Sequence, residues 1–311
     1  MSTDGLWSIG ELAARAGTTV KTVRYYSDRG LLPEPVRSSG GHRRYGPEAL
    51  DRLVLIRSLR SLDLPVPEVE RVLGRDEALE EALDEAVADR LSELGGQLAA
   101  LRWREASLRV VRDAPAGERS DRLRLVGAVP MPPDTTALAR FWRRVLPARL
   151  PGRVVTAVLD SVVPTAPAEP TPAQVLAFAR LHDLVSVRRL DEAEVRAARP
   201  LPDGEYRPDV LYEGLAEAYE AAWEAVRTGR GPADAEVLDG FVAAYAHALG
   251  VRDTPAFRLR LTGLLAGREG PVIVRYWKLA GILFAPGEPV LGVLHHQLAT
   301  ALRVQVGERT A

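Results

Sequence analysis

Trp7-Ser-Ile-Gly-Glu-Leu-Ala-Ala-Arg-Ala-Gly-Thr-Thr-Val-Lys-Thr-Val-Arg-Tyr-Tyr-Ser-Asp-Arg-Gly-Leu-Leu32 decides the reading of this chain. Ser8 is placed to cap a helix over Ile9–Ala16, with Glu11 at the capping-box position. Gly17 ends that helix, and Thr18 or Thr19 restarts a second one through about Asp28, which Gly30 closes. Two short helices joined by Gly17-Thr18-Thr19 form a helix-turn-helix, whose second helix is the one offered to a DNA major groove. That helix displays Lys21, Thr22, Arg24, Tyr25 and Tyr26. Arg and Tyr suit phosphate oxygens, and Arg or Lys also fits guanine N7 and O6. Only one side of the helix can face DNA, so either tyrosine can instead pack inside.

Beyond Leu32, residues 33–46 are rich in Pro, Ser, Gly and Arg and read as a loop or a two-stranded wing. Arg37, His42, Arg43 and Arg44 stand there, placed to clamp a second stretch of phosphate backbone. Pro47 then opens a helix through Leu62, and Pro67 opens another through Leu73. Trp7, Leu31 and Leu32 are expected in the core. Arg29, Arg57 and Arg60 are expected in solvent or in ion pairs within the domain. Charge supports a nucleic-acid partner despite a net charge of only −1. Between Arg15 and Arg60 ten Lys and Arg face four Asp and Glu, whereas residues 76–311 hold 29 against 33. A basic head on an acidic body is what a phosphate-binding end produces.

The stretch from Trp7 to Ala13, then Thr19 to Tyr26, Gly30-Leu-Leu, Gly41-His-Arg-Arg-Tyr45 and Leu53–Leu62 together resemble the opening of MerR-family regulators, in the family's order and spacing. The resemblance covers about the first 75 residues and extends in form to the helix that follows. Ser27 departs from it, standing where an acidic residue is usual, and is expected to alter local capping only. The resemblance implies a homodimer joined by an antiparallel coiled coil, with one winged helix on each half-site of double-stranded promoter DNA. It also implies distortion of the promoter so that RNA polymerase can engage it, with DNA deformability contributing to site choice. Arg24, Tyr25 and Arg43 carry over as the first DNA contacts.

From about Asp76 to Arg112 no proline interrupts the chain. Leu79, Leu83, Val87, Leu91, Leu94, Leu98, Leu101 and Leu108 recur at helical steps, which reads as a coiled-coil seam. Gly95-Gly96 is either a tolerated kink or a place of close helix approach. Residues 113–133 read as a linker, and 134–311 as a mostly helical effector or sensor domain. Only Arg153–Val163 and Pro271–Val274 hint at strands. The expected fold class is mainly α: a winged helix-turn-helix over 1–75, a dimerisation helix over 76–112, the linker, and the helical domain.

Function classes fall away in turn. With no cysteine, disulfides, Cys-based metal sites and thiol sensing are excluded. The histidines are scattered apart from His295-His296, whose neighbouring positions point to different helix faces. No metal and no cofactor is therefore expected. No nucleophile elbow, Gly-rich phosphate loop or paired-carboxylate motif marks an enzyme. No apolar run reaches membrane-spanning length, and Met1-Ser-Thr-Asp-Gly5 lacks the pattern of a secretory leader, so a cytoplasmic protein with no membrane partner is expected. Tyr212, Tyr219, Trp223, Tyr245 and Trp277 are candidates for a small-organic-ligand pocket, with Glu213, Glu217, Glu220 and Glu224 close by in sequence. Aromatics at helical spacing equally suit a core. The alternative is thus a regulator whose last domain binds a protein partner or only supports the dimer.

Overall fold

A computed structural model describes residues 5–38, 40–75, 78–131, 133–186, 201, 206–231, 234–266, 270–285 and 287–310. The leader reading at residues 1–4 and the start of the dimer helix at Asp76 lie outside them. The chain divides into two compact units, residues 1–97 and 98–311.

In the first unit, β1 (Trp7–Ser8) leads into α1 (Ile9–Arg15), followed by α2 (Val20–Asp28). The capping box forms: Glu11 N–H donates to Ser8 Oγ, and the Glu11 carboxylate accepts from Ser8 N–H. These two hydrogen bonds, first the one from the Ser8 backbone and then the one with its side chain, hold the Glu11 carboxyl below its usual range. Thr19 caps α2 through the Thr22 N–H. Gly17 supplies the left-handed turn residue between the helices, at φ 60°. The wing is β2 (Val36–Arg37) and β3 (Arg43–Tyr45). The two-stranded form of the wing is the one found, and β1 pairs with β3 as well, giving a three-stranded antiparallel sheet in the order β1-β3-β2. Helices α3 (Pro47–Ser61) and α4 (Val66–Leu73) complete the unit. Leu12, Val23, Tyr45, Leu53, Ile56 and Val69 lie at the centre of its core. Leu31 and Leu32 are buried as expected, but Trp7 is only half-buried, with the Arg15 guanidinium over its ring at 4.5 Å.

Helix α5 (Leu79–Arg112) runs unbroken through Gly95-Gly96. It gives Ala82 and Ala86 to the first core and Trp103, Ala106 and Val110 to a second. Leu83, expected in the seam, is half-buried and packs beside Ala82 against the first core. Leu91, Leu94, Leu98, Leu101 and Leu108 remain uncovered, each 43–72% exposed. They share one helix row at heptad spacing, and Leu83 falls one residue off it.

The second unit is helical throughout its described elements: α6 (Arg119–Gly127), α7 (Thr136–Val145), α8 (Gly152–Val162), α9 (Pro172–Ser186), α10 (Pro208–Arg227), α11 (Ala235–Leu249), α12 (Pro255–Leu265), α13 (Pro271–Ala280) and α14 (Leu291–Thr310). Three expectations are corrected here. The linker 113–133 contains α6, whose Val126 is buried in a core. The two strand-like stretches are the helices α8 and α13. In α8, Val154, Leu159 and Val162 fall on one side at helical steps and are buried, so burial on one helix face explains an apolar pattern that looked like alternation. Two large cores hold the unit, beside a small cluster of Leu146, Leu150 and Val154. One gathers α5, α7, α8, α9 and α13 around Trp103, Phe141 and Phe178. The other joins α10, α11, α12 and α14 around Phe241 and Tyr245. A Cβ on Gly214 would come within 2.9 Å of the Ala244 Cβ, so glycine is what lets α10 and α11 approach this closely.

Candidate nucleic-acid interface and cavity

Helix α2 sorts its residues by period. Val23 and Tyr26 point into the core, whereas Lys21, Arg24, Tyr25 and Asp28 stand together on the exposed side. Tyr26 is 7% exposed, so its expected DNA contact is overturned: it shares the inward face with Val23, and Tyr25 takes the outward one. The Arg29 guanidinium covers the Tyr25 ring at 4.9 Å and pairs with Glu70 at 3.0 Å. Thr22 is half-buried and its hydroxyl meets Thr19 Oγ1 at 2.9 Å. Among the described residues Lys21, Arg24 and Arg37 make no ion pair, and all three are exposed.

The wing arginines divide by strand alternation. Tyr45 is buried, and Arg43, two residues earlier, points to the same side, toward α2. Its Nη1 pairs with Asp28 at 2.6 Å and reaches Ser27 Oγ at 3.3 Å, while Tyr45 Oη donates to Ser27 Oγ at 3.0 Å. The hydrogen bond to Asp28, then that to Tyr45, raises the Arg43 guanidinium above its ordinary pKa. Arg43, expected as a DNA contact, is therefore engaged with Asp28 within the unit while its side chain still reaches the surface. Ser27 likewise does more than adjust a cap: its small hydroxyl joins the recognition helix to the wing. Arg44, on the opposite side of β3, is half-buried and 3.9 Å from Glu11. His42 is exposed at the wing tip.

Three arginines of α3 brace the unit through carbonyl oxygens. Arg57 Nη1 donates to Ala16 O at the helix-turn-helix turn, Arg60 Nη1 to Leu64 O, and Arg52 to Leu31 O and Leu73 O. These are helix-end and loop carbonyls that would otherwise lack a partner. Arg57 and Arg60 thus stay within the domain, paired with backbone and not with carboxylates. Arg52 carried no signal in the sequence that separated it from a solvated arginine.

The second unit contains a half-open cavity of about 780 Å³ between α8, α10, α13 and α14. Tyr212, Tyr219 and Trp277 line it, as expected of ligand candidates. Trp223 and Tyr245 do not: Tyr245 is fully buried in the neighbouring core and Trp223 packs against that core. Of the four glutamates, Glu213 and Glu220 reach the cavity. The sequence reading missed Val154 and Val158 because α8 was read as strand-like, and it missed His295, whose Nδ1 lies 2.7 Å from Tyr219 Oη. Burial pushes the Tyr219 phenol well above its ordinary pKa, so it stays neutral. Gly292 underlies the Trp277 indole so closely that a Cβ there would enter the ring. Among the described residues no group of three or more His, Asp or Glu is placed to hold a metal, and no helix is long and apolar enough to cross a membrane.

Comparison with known proteins agrees with the geometry of the first unit. Residues 7–76 match the family model described as MerR HTH family regulatory protein. The chain is 33% identical to the HTH-type transcriptional regulator ZntR of Escherichia coli, over 36% of this chain and 82% of that protein. It is 42% identical to a ZntR homolog of Haemophilus influenzae, over 25% of this chain and 57% of the relative. The chain spans only about half the length of the first curated relatives it matches. Among solved structures, the transcription regulator PbrR691 from Ralstonia metallidurans, in complex with lead(II), is 32% identical over 36% of this chain and 89% of its own, with a TM-score of 0.31.

Proposed function

The chain belongs to the MerR family of helix-turn-helix regulatory proteins, and from that premise we propose that it is a dimeric, sequence-specific regulator that binds double-stranded promoter DNA. One observation carries the reading: Lys21, Arg24 and Tyr25 stand together on the outward face of the second helix, and the two cations have no ion-pair partner among the described residues. Arg24 is the candidate base reader, able to take guanine N7 and O6, with Lys21 and Thr22 beside it. Tyr25, Arg37, His42 and Arg44 are placed for backbone oxygens, which set register and not sequence. Arg43 acts through Asp28, neutralising a carboxylate that would otherwise confront phosphate.

The dimer is proposed to close over the leucine row of α5, in the antiparallel manner of the family. One dimer then spans a two-fold site and distorts it so that RNA polymerase engages the promoter. The effector is proposed to be a small organic molecule in the cavity of the second unit. Trp142 lines that cavity and shares a core with Trp103, Ala106 and Val110 of α5, which gives a bound molecule a route to the dimer helix. Selection of duplexes from a randomised pool by the full chain tests the DNA reading. A two-fold symmetric site is expected, and Arg24→Ala should lower affinity for it at least tenfold and relax one position in each half. Failure to enrich any motif refutes sequence-specific binding.

A further inference from the structure

We propose that the cavity of the second unit takes an uncharged, largely apolar organic molecule of drug size, with one polar group set against the Tyr219–His295 pair. This deepens the ligand-responsive reading and rests on it. The volume of about 780 Å³ falls within the range that encloses such molecules. The chemistry of its wall selects among them by where charge lies. Besides the histidines His295 and His296, four ionic side chains border the cavity: Arg153, Glu213, Glu220 and Lys278. All four are exposed, and Arg153 and Glu213 neutralise each other at 2.7 Å. The described wall therefore holds no buried carboxylate to compensate a cation and no buried cation for an anion. Moving an uncompensated charge from water into such a space is strongly unfavourable, whereas apolar surface enters with a gain.

The interior offers faces of Trp277, Tyr212 and Tyr219 beside Val154, Val158 and Ile273. Against these an aromatic or alicyclic body packs with dispersion on several sides. The Tyr219 Oη–His295 Nδ1 contact at 2.7 Å gives this wall a fixed polar point. Tyr219 remains a neutral phenol there: where His295 Nδ1–H donates to its oxygen, the phenol O–H is left to donate to a carbonyl, and in the opposite tautomer its oxygen accepts from a hydroxyl, in neither case demanding charge. Trp277 is held over Gly292 and beside Trp142, with ring centroids 5.5 Å apart, so one aromatic wall is set in place before any molecule arrives.

Three dyes test the inference on the full chain: neutral Nile red, cationic rhodamine 6G and anionic 1-anilinonaphthalene-8-sulfonate. Nile red is expected to bind once per chain, at least tenfold tighter than either ion, and to be excited by energy transfer from tryptophan. Ala216→Trp, on the exposed part of the wall, should reduce its affinity at least tenfold. Tyr219→Phe, which keeps the volume, should reduce it about threefold to tenfold through the dye's carbonyl. Tighter binding of rhodamine 6G or of the anion overturns the chemical class assigned. Binding of none of the dyes, or Nile red binding that both variants leave unchanged, overturns the site. If Nile red binds as expected but saturating dye leaves affinity for the selected duplex unchanged, the site is supported and the ligand-responsive reading is the one that fails.

Discussion

Arg43 and Asp28 form a pair on the side of the first unit proposed to face DNA, and its consequence is measurable. Asp28 shares the outward face of α2 with Lys21, Arg24 and Tyr25, so alone it would set a carboxylate against phosphate. The Arg43 guanidinium at 2.6 Å cancels it. Each unit of positive charge that meets phosphate contributes about 0.9 to the slope of log affinity against log salt. Arg43→Ala exposes the carboxylate and should make the slope shallower by about 0.9. That corresponds to about a 3.5-fold smaller loss of affinity between 50 and 200 mM salt. Asp28→Asn frees the guanidinium and should steepen the slope by about the same amount. The double substitution should return it close to the starting value. Both side chains reach water, so the melting temperature is expected to change little in all three variants. Fluorescence anisotropy of a labelled duplex across a salt series reads the slopes directly. If Asp28→Asn leaves the slope unchanged and the double variant behaves as Arg43→Ala alone, Arg43 contacts phosphate itself and the neutralising role is wrong.

Other consequences concern packing. Trp103 is 1% exposed and meets Phe178 edge-on at 5.3 Å, so Trp103→Ala should destabilise the second unit by about 3–5 kcal/mol. Denaturant unfolding followed by probes placed in each unit should show only that transition moving; equal movement of both would mean the units unfold as one. Trp103 Nε1 is buried without a hydrogen-bond partner among the described residues. Trp103→Phe should therefore be markedly milder than Trp103→Ala, because losing an unpaired donor offsets part of the lost contact. Gly292→Ala should displace the Trp277 indole, shifting tryptophan emission and lowering Nile red affinity at least tenfold. An unshifted spectrum with full affinity would show that the ring does not depend on that glycine.

The first unit was legible because short-range rules act there without competition. Ser8 with Glu11, Thr19 with Thr22, and the left-handed Gly17 and Gly30 each specify a local geometry that the fold adopts. What escaped the sequence reading depended on which way a side chain turns. Tyr25 and Tyr26 are adjacent and chemically identical, and only packing beside Val23 decides that Tyr26 goes inward. Arg43 looked like Arg44 until strand alternation turned it toward Asp28.

In the second unit, the mostly helical character was legible, whereas α8 and α13 were obscured by short apolar runs. Such runs do not separate a buried strand from a buried helix. The cavity was half legible for the same reason. Tyr212, Tyr219 and Trp277 were visible as aromatics on helices, but Trp223 and Tyr245 carried the same pattern and pack against or within the core. Gly292 and His295 join the site only through contacts across many residues of chain, which periodicity does not encode.

The central claim is that two chains, joined through α5, read one two-fold DNA site. Its most direct test is the mass of the complex with the selected duplex, measured by analytical ultracentrifugation for the native chain and for the Leu91→Glu, Leu98→Glu variant. Covering each half-exposed leucine is worth about 1 kcal/mol, so replacing two in each chain removes about 4 kcal/mol and weakens the dimer about a thousandfold. The native chain should bind as two copies on one duplex. The variant should sediment as a monomer and lose the full site, while keeping the melting transition of its first unit. A single native chain on the full site, or a variant that still binds as a pair with undiminished affinity, contradicts the account.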